Sequence, residues 1–250
     1  MKIQDIIFKK YDNFTEQSNF SIKFKSFNSL LVHVLTANNP YFFHQKSHWE
    51  TIIENALEAD IQIGEYIALD ISAILIRDPA CQNIYEAIFF YKGFHALAWY
   101  RVSNYYWKLN NKLLARKINH FINSSLGIDI HPAASIGHSI FIDHGTGVVI
   151  GETTIMENYI SMFHGVTLGG TGKESLGCRH PHIASHVLLS SHCSIIGNIK
   201  INVGTRVAAS SVVLDTIPEF VTVAGIPAKI VRHNSPHNTE YKWNFKWYEE

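Results

Sequence analysis

The chain has 250 residues, 46% of them hydrophobic and 17% charged, with a formal net charge of +0. That length and apolar fraction suit a globular fold with a sizeable core, and the balanced charge gives no reason to expect nucleic acid or an anionic membrane as partner. No apolar run approaches the roughly 20 residues of a membrane span, and Met1-Lys2-Ile3-Gln4-Asp5 lacks the apolar stretch of a signal peptide, so the cytoplasm is the expected location.

Residues 1–45 carry only weak periodicity. From about Ser47 to Ile122 apolar residues return at helical spacing: Ile67, Ile71, Ile74 and Leu75, then Tyr91, Phe94, His95 and Ala98, then Leu114, Ile118, Phe121 and Ile122. Pro79 is expected to end one helix, because the residue before a proline is pushed out of the helical region. Asn123-Ser124-Ser125-Leu126-Gly127 reads as a stop.

The second half follows another rhythm. An aliphatic residue returns every sixth position at Ile130, Ile136 and Ile142, and after a two-residue slip at Ile150, Met156, Met162 and Leu168. A break containing Gly177-Cys178-Arg179-His180-Pro181 follows, and the beat resumes at Ile183, Leu189, Ile195, Ile201, Val207 and Val213. Four positions after these markers sit small or branched residues: Ala134, Ile140, Thr146, Thr154, Ile160, Val166, Val187, Cys193, Ile199, Thr205 and Ser211. Such a hexapeptide repeat specifies a parallel β-helix, three faces closing one coil and successive coils stacking at about 4.8 Å. Thirteen markers supply about four coils, and coils must stack because none buries its interior alone. The expected fold class is α+β, an N-terminal all-helical domain (1–128) followed by a β-helix of hexapeptide repeats (129–232) and a tail (233–250). The helices would also cap the exposed terminal coil against edge pairing. Of the three cysteines, Cys193 falls on an interior position, and with Cys81 and Cys178 it forms no ligand set or disulfide framework.

Chemistry is expected where the beat breaks or charge intrudes. Asp129, His131, Asp143 and His144 lie in the first coils, and Arg179 with His180 lies on the interrupting loop. Imidazole, with an ordinary pKa near ~6.5, suits proton transfer near neutrality, which makes His144 a candidate base. A carboxylate would orient it. Adjacent side chains diverge on a strand, which favours Asp129 over Asp143 for that task. By itself an Asp-His dipeptide is more commonly a solvated turn. Gly169-Gly170-Thr171-Gly172 is either a prism corner or a place where backbone approaches a ligand, and no helix-forming stretch follows to make it a phosphate loop.

Ile130-His131-Pro132-Ala133-Ala134, Asp143-His144-Gly145-Thr146-Gly147, Gly151-Glu152-Thr153, Val166-Thr167-Leu168-Gly169-Gly170-Thr171-Gly172-Lys173 and Arg179-His180-Pro181 occur in order in this chain. Arg77-Asp78-Pro79-Ala80, Lys92-Gly93-Phe94-His95-Ala96-Leu97 and Tyr100-Arg101 precede them, and Gly225-Ile226-Pro227-Ala228-Lys229 follows. Together they resemble the serine O-acetyltransferase family over roughly residues 28–232. The resemblance implies a left-handed β-helix and direct transfer of acetyl from acetyl-CoA to the L-serine hydroxyl, giving O-acetyl-L-serine for cysteine biosynthesis. It implies His144 as base with Asp129 as its partner, Asp78 and Asp143 on the serine ammonium, and Arg179 with His180 on the serine carboxylate. It assigns the coenzyme to Gly169, Gly170, Thr171, Gly172, Lys173, Ser191, Ala209 and Lys229, expects no metal, and places the groove between subunits of a homotrimer or a dimer of trimers.

Several positions depart from the family. Gly145 stands where alanine is common, Ser190-Ser191-His192 replaces small, often glycine-rich residues, and Glu174-Ser175-Leu176-Gly177-Cys178 varies the usual lead into Arg179. Many members end in isoleucine, which docks into O-acetylserine sulfhydrylase. This sequence ends Trp247-Tyr248-Glu249-Glu250, so that partnership is not carried over. Tyr241, Trp243, Phe245 and Trp247 alternate with polar residues, as in a strand with one aromatic face that packs on the prism or a neighbouring subunit. Three rivals stand beside this reading: a zinc carbonic anhydrase of the same fold using His144, His164 and His180, a non-catalytic prism, and a CoA-dependent acyltransferase for another small amino acid or hydroxyl acceptor.

Overall fold

The computed structural model describes residues 2–17, 23–37, 45–172 and 177–234. Lys173 and the alternating aromatics of the tail lie outside the described residues. Among the described residues seven helices come first: α1 (Ile3–Gln17), α2 (Phe27–Ala37), α3 (Lys46–Ala59), α4 (Ile61–Arg77), α5 (Ile84–Phe89), α6 (Lys92–Lys108) and α7 (Lys112–Leu126). Two of them thus fall where the sequence is weakly periodic. The carboxylate of Asp60 caps α4 by accepting from the Gln62 amide at 3.0 Å, and Ile63, Ile67, Ile71 and Ile74 make its buried face. Helix α4 stops at Arg77, ahead of Pro79, and α7 stops at Gly127, whose φ of 65° only glycine adopts at little cost.

The β-helix follows at once. Its first coil is β1 (Ile128–Ile130), β2 (Ser135–Ile136) and β3 (Phe141–Ile142), and its second is β4 (Val148–Ile150), β5 (Ile155–Met156) and β6 (Ser161–Met162). The third is β7 (Thr167–Gly169), β8 (His182–Ile183) and β9 (Leu188–Leu189), and the fourth is β10 (Ser194–Ile196), β11 (Lys200–Ile201) and β12 (Arg206–Val207). β13 (Val212–Val213) opens a fifth coil, and β14 (Val221–Gly225) with β15 (Ala228–His233) closes the stack as an antiparallel hairpin. The first face carries β1-β4-β7-β10-β13, all parallel, with Ile130 opposite Ile150, then Leu168, Ile195 and Val213.

Every marker residue is buried, so the six-residue beat is the core itself. The stack is nonetheless one coil taller than the count of about four. After Val213 the next step shortens to four residues at Ile217 and then returns to six at Val223, both buried, and Ile217 pairs with Ile201 while β14 joins β12. Pro218 lies in that irregular stretch, which hides it from a fixed six-residue search. Thr146 is the corner residue that departs most, being exposed while Gly145 and Val148 turn inward. The two-residue slip is spent on that turn.

Buried charge joins the two halves. Arg101 donates to Asp70 through Nε at 2.9 Å and Nη2 at 2.6 Å, and Nη2 also donates to the Gly137 carbonyl at 2.8 Å. The other Asp70 oxygen accepts from the Ile140 amide at 2.9 Å. Arg77 reaches the carbonyls of Ile160 and Ser139 and the hydroxyl of Ser161. The backbones also touch, since a Cβ on Gly93 would run into the Ile142 carbonyl. No helix among the described residues is long and apolar enough to cross a membrane.

His95, on α6, donates from Nε2 to the Ile88 carbonyl at 2.9 Å and borders a cavity of about 380 Å³ between α2, α6 and α7. Burial pushes its pKa down to about 4, against the opposing pull of the Ile88 carbonyl. The unfolded chain therefore binds more protons than the native one between pH ~6.5 and about 4, and stability falls as pH is lowered through that window. With allowance for solvent reaching the cavity, His95 is expected to remove about 1–2 kcal/mol between pH 7 and 4.5. Urea unfolding at both pH values should show this drop, and His95→Gln should lessen it.

Candidate active site

Two corners border the first face of the prism, and the candidate residues divide between them. At the corner entering the face, Asp143 and His144 follow β3. There His144 takes a φ of 57°, which breaks strand alternation between the two side chains. The two adjacent side chains therefore do not diverge as a strand would require: Asp143 Oδ2 lies 3.8 Å from His144 Nε2. Asp78, the C-cap of α4, lines the same cavity of about 430 Å³ together with Tyr91, Lys92, Gly93 and Thr146. One Asp78 oxygen accepts from the Ala80 amide at 2.8 Å and the other from the Tyr91 hydroxyl at 2.6 Å. Burial, then the bond to Asp78, pushes the Tyr91 hydroxyl pKa up, which keeps it a neutral proton donor.

Higher coils continue this corner. The His164 ring lies 5.6 Å from that of His144, and the His192 ring lies 4.9 Å from that of His164, against the Gly165 backbone. Ser191 and Ala209 occupy the corners above, linked through the Ser210 amide to the Ser191 carbonyl at 2.9 Å. Lys229 pairs with Ala224 in the closing hairpin. Gly145, with a φ of 76°, stands under the base, where an alanine Cβ would come within 2.6 Å of Ile128 Cδ1.

The corner leaving the face holds the other group. Arg179 Nη2 meets Glu152 Oε2 at 2.7 Å, and the Thr153 hydroxyl accepts from the Arg179 and His180 amides at 2.9 and 3.1 Å. Thr153 also hydrogen-bonds His180 Nδ1 at 2.9 Å through its hydroxyl, while the His180 ring covers Gly151. Gly170 packs against Arg179, and the Gly197 amide donates to the Gly169 carbonyl at 2.9 Å. The three extended residues of β4, about 10 Å, stand between the turn that carries His144 and the corner at Gly151, so the two groups of one chain face different edges of the first face. Asp129 sits on the face between them, opposite Val149, with one oxygen accepting from Asn119 at 3.0 Å rather than from His144.

Sequence reasoning passed over Tyr91, Lys92, Glu152 and Thr153 as individual side chains, although each lies inside or beside a quoted motif. Their partners are distant in sequence, so no local spacing signals them. His180 has a pKa lowered by burial and then by Arg179, while Glu152 pulls it up. Replacing Glu152 by glutamine removes the raising influence, so NMR titration of the His180 ring should give a midpoint below ~6.5 that moves lower still in Glu152→Gln. An unchanged midpoint would show that Glu152 does not act on this ring.

The sequence pattern described as "Serine acetyltransferase, N-terminal" matches residues 17–98. The chain is 43% identical over 193 residues to the serine acetyltransferase of Haemophilus influenzae, which covers 77% of this chain and 72% of that one. It superposes on the Vibrio cholerae serine acetyltransferase with a TM-score of 0.86 at 38% identity, covering 93% of both chains. The Brucella abortus serine acetyltransferase in complex with coenzyme A gives 0.83 at 32% identity, covering 93% of this chain and 96% of that one. The zinc alternative and the non-catalytic prism give way to this kinship. With its helical half, its five-coil prism and these relatives, the chain belongs to the serine acetyltransferase family.

Proposed function

We propose that His144 is the general base of acetyl transfer from acetyl-CoA to L-serine, at a site completed by a neighbouring copy of the chain. The observation that carries this reading is the cavity in which Asp78, Asp143 and His144 converge. Two carboxylates complement the serine ammonium, and the imidazole beside them can take the proton of the serine hydroxyl. The hydroxyl oxygen then attacks the thioester carbonyl. The tetrahedral intermediate collapses with cleavage of the C–S bond, and the imidazolium returns its proton to the CoA sulfur. A positioned base contributes about 10²–10⁴ in rate. Asp143 supports the imidazolium as it forms, and Asp129, with one oxygen engaged by Asn119, is the proposed orienting partner.

Arg179 and His180 are proposed to hold the serine carboxylate from the adjacent subunit, the guanidinium offering the fork that matches it. The corner separation supports this division, as does the first face, which exposes Val149 between the corners. Cyclic packing of three chains would bring the leaving corner of one to the entering corner of the next. The coenzyme would lie in the same groove, with Gly169, Gly170, Thr171 and Gly172 on one wall and Ser191, Ala209 and Lys229 on the other. Lys173 is proposed to meet its phosphates. A cytoplasmic setting is the matching proposal, since Cys81, Cys178 and Cys193 are all unpaired.

His144→Ala should lower kcat by about 10²-fold or more with the assembly intact, and near-normal turnover would remove His144 as base. Arg179→Ala should raise the KM for serine much more than that for acetyl-CoA. Dissociating these two variants, mixing them and letting them reassemble should restore activity, because some interfaces then pair an intact His144 with an intact Arg179. Failure to recover would place both residues in one chain's site. Comparing L-serine, L-homoserine and threonine as acceptors tests the substrate directly.

A further inference from the structure

Tyr91, which precedes α6, and the first two residues of the helix each grip a different part of the acceptor cavity. Tyr91 donates its hydroxyl proton to Asp78 at 2.6 Å. Lys92 donates to the Thr146 hydroxyl, two residues beyond His144. Gly93 lies so close to the Ile142 carbonyl, one residue before Asp143, that no side chain fits between them. No side chain caps the start of α6. Its first residues engage the cavity instead.

We propose that Tyr91 and Lys92 are positioning residues for the acceptor site, Tyr91 aiming the Asp78 carboxylate and Lys92 pinning the turn that carries His144. The inference rests on the acceptor-site reading above and extends it to residues with no assigned role. The backbone contact at Gly93 sets the distance between the helical half and the turn. Tyr91 and Lys92 then fix the two sides of the cavity from that one anchor. The division of labour is chemical. Asp78 comes from the helical half and is held at both oxygens, by the Ala80 amide and the Tyr91 hydroxyl. Backbone bonds from Gly147 to Gly127 and from Gly165 to Thr146 hold the main chain of the His144 turn, and Lys92 adds the tie to its exposed Thr146 side chain. Tyr91 therefore governs acceptor binding, and Lys92 governs the placement of the base.

Steady-state kinetics on Tyr91→Phe, Lys92→Met, Lys92→Arg and Thr146→Val, with thermal melts of each, test this. Tyr91→Phe should raise the serine KM about tenfold or more, the scale of one lost hydrogen bond to a charged group, with kcat and the KM for acetyl-CoA nearly unchanged. Lys92→Met and Thr146→Val should each lower kcat about tenfold or more with little change in either KM, and Lys92→Arg should recover most of the loss. An unchanged serine KM in Tyr91→Phe, or full turnover in Lys92→Met, overturns the proposal. A uniform loss of kcat, both KM values and melting temperature also overturns it, since that marks support of the fold alone. Asp78→Asn separates the two layers of the argument. If it raises the serine KM while Tyr91→Phe does not, only the positioning role fails, and if it leaves the KM unchanged, the acceptor-site reading fails with it.

Discussion

The acceptor cavity is built from two unlike halves, and the buried pair of Arg101 with Asp70 is what registers one on the other. Asp70 belongs to α4 and Arg101 to α6, yet their spare hydrogen bonds go to the Ile140 amide and the Gly137 carbonyl of the first coil. A buried ion pair gives little net stability against an apolar substitute, but removing one partner leaves an uncompensated charge at a cost of about 3–5 kcal/mol. Its contribution here is geometric. The two bonds it makes to the first coil fix the helices at one height and one rotation on the prism. Asp78, eight residues beyond Asp70 on the same helix end, inherits that height. Asp143 and His144, one strand beyond Ile140, inherit it from the other side.

The prism was legible in the sequence because a β-helix core is a one-dimensional problem. Each coil buries the same kind of residue at the same phase, so the interior can be read from spacing alone, and all thirteen markers are buried. Legibility ended where the phase changed. The fifth coil falls outside a fixed count because Ile217 follows Val213 after only four residues, next to Pro218, and Thr146 stands where the slip turns the corner outward. The helices show the converse case. Their long apolar stripes were readable, but α1 and α2 are short on sequence signal and take their stability from packing, with Ile7, Tyr11, Leu30 and Leu31 buried.

The site was legible to the extent that its residues intrude on the beat. Asp143, His144, Arg179 and His180 stand out because charge or imidazole does not belong in a repeating apolar pattern. Tyr91 and Lys92 do not stand out, since an aromatic and a lysine at a helix start are ordinary surface choices. Their meaning lies in contacts with Asp78 and Thr146, which only the folded chain brings near. The closeness of Asp143 to His144 is hidden from the sequence for a related reason. Divergence of neighbours holds on a strand, and the left-handed backbone at His144 takes this pair off the strand.

The loop between β7 and β8 leaves the prism at one corner and re-enters with the register intact, since Ser194 pairs with Thr167 and His182 with Ile155 on either side of it. Thr153 receives the chain at its point of return, so Arg179 and His180 are anchored to the prism by their own amides. The hydrophobic stack and the anchored pair therefore each have supports of their own, the first in the strand register and the second in Thr153. Such an arrangement places the fold and the Arg179–His180 corner under separate physical constraints.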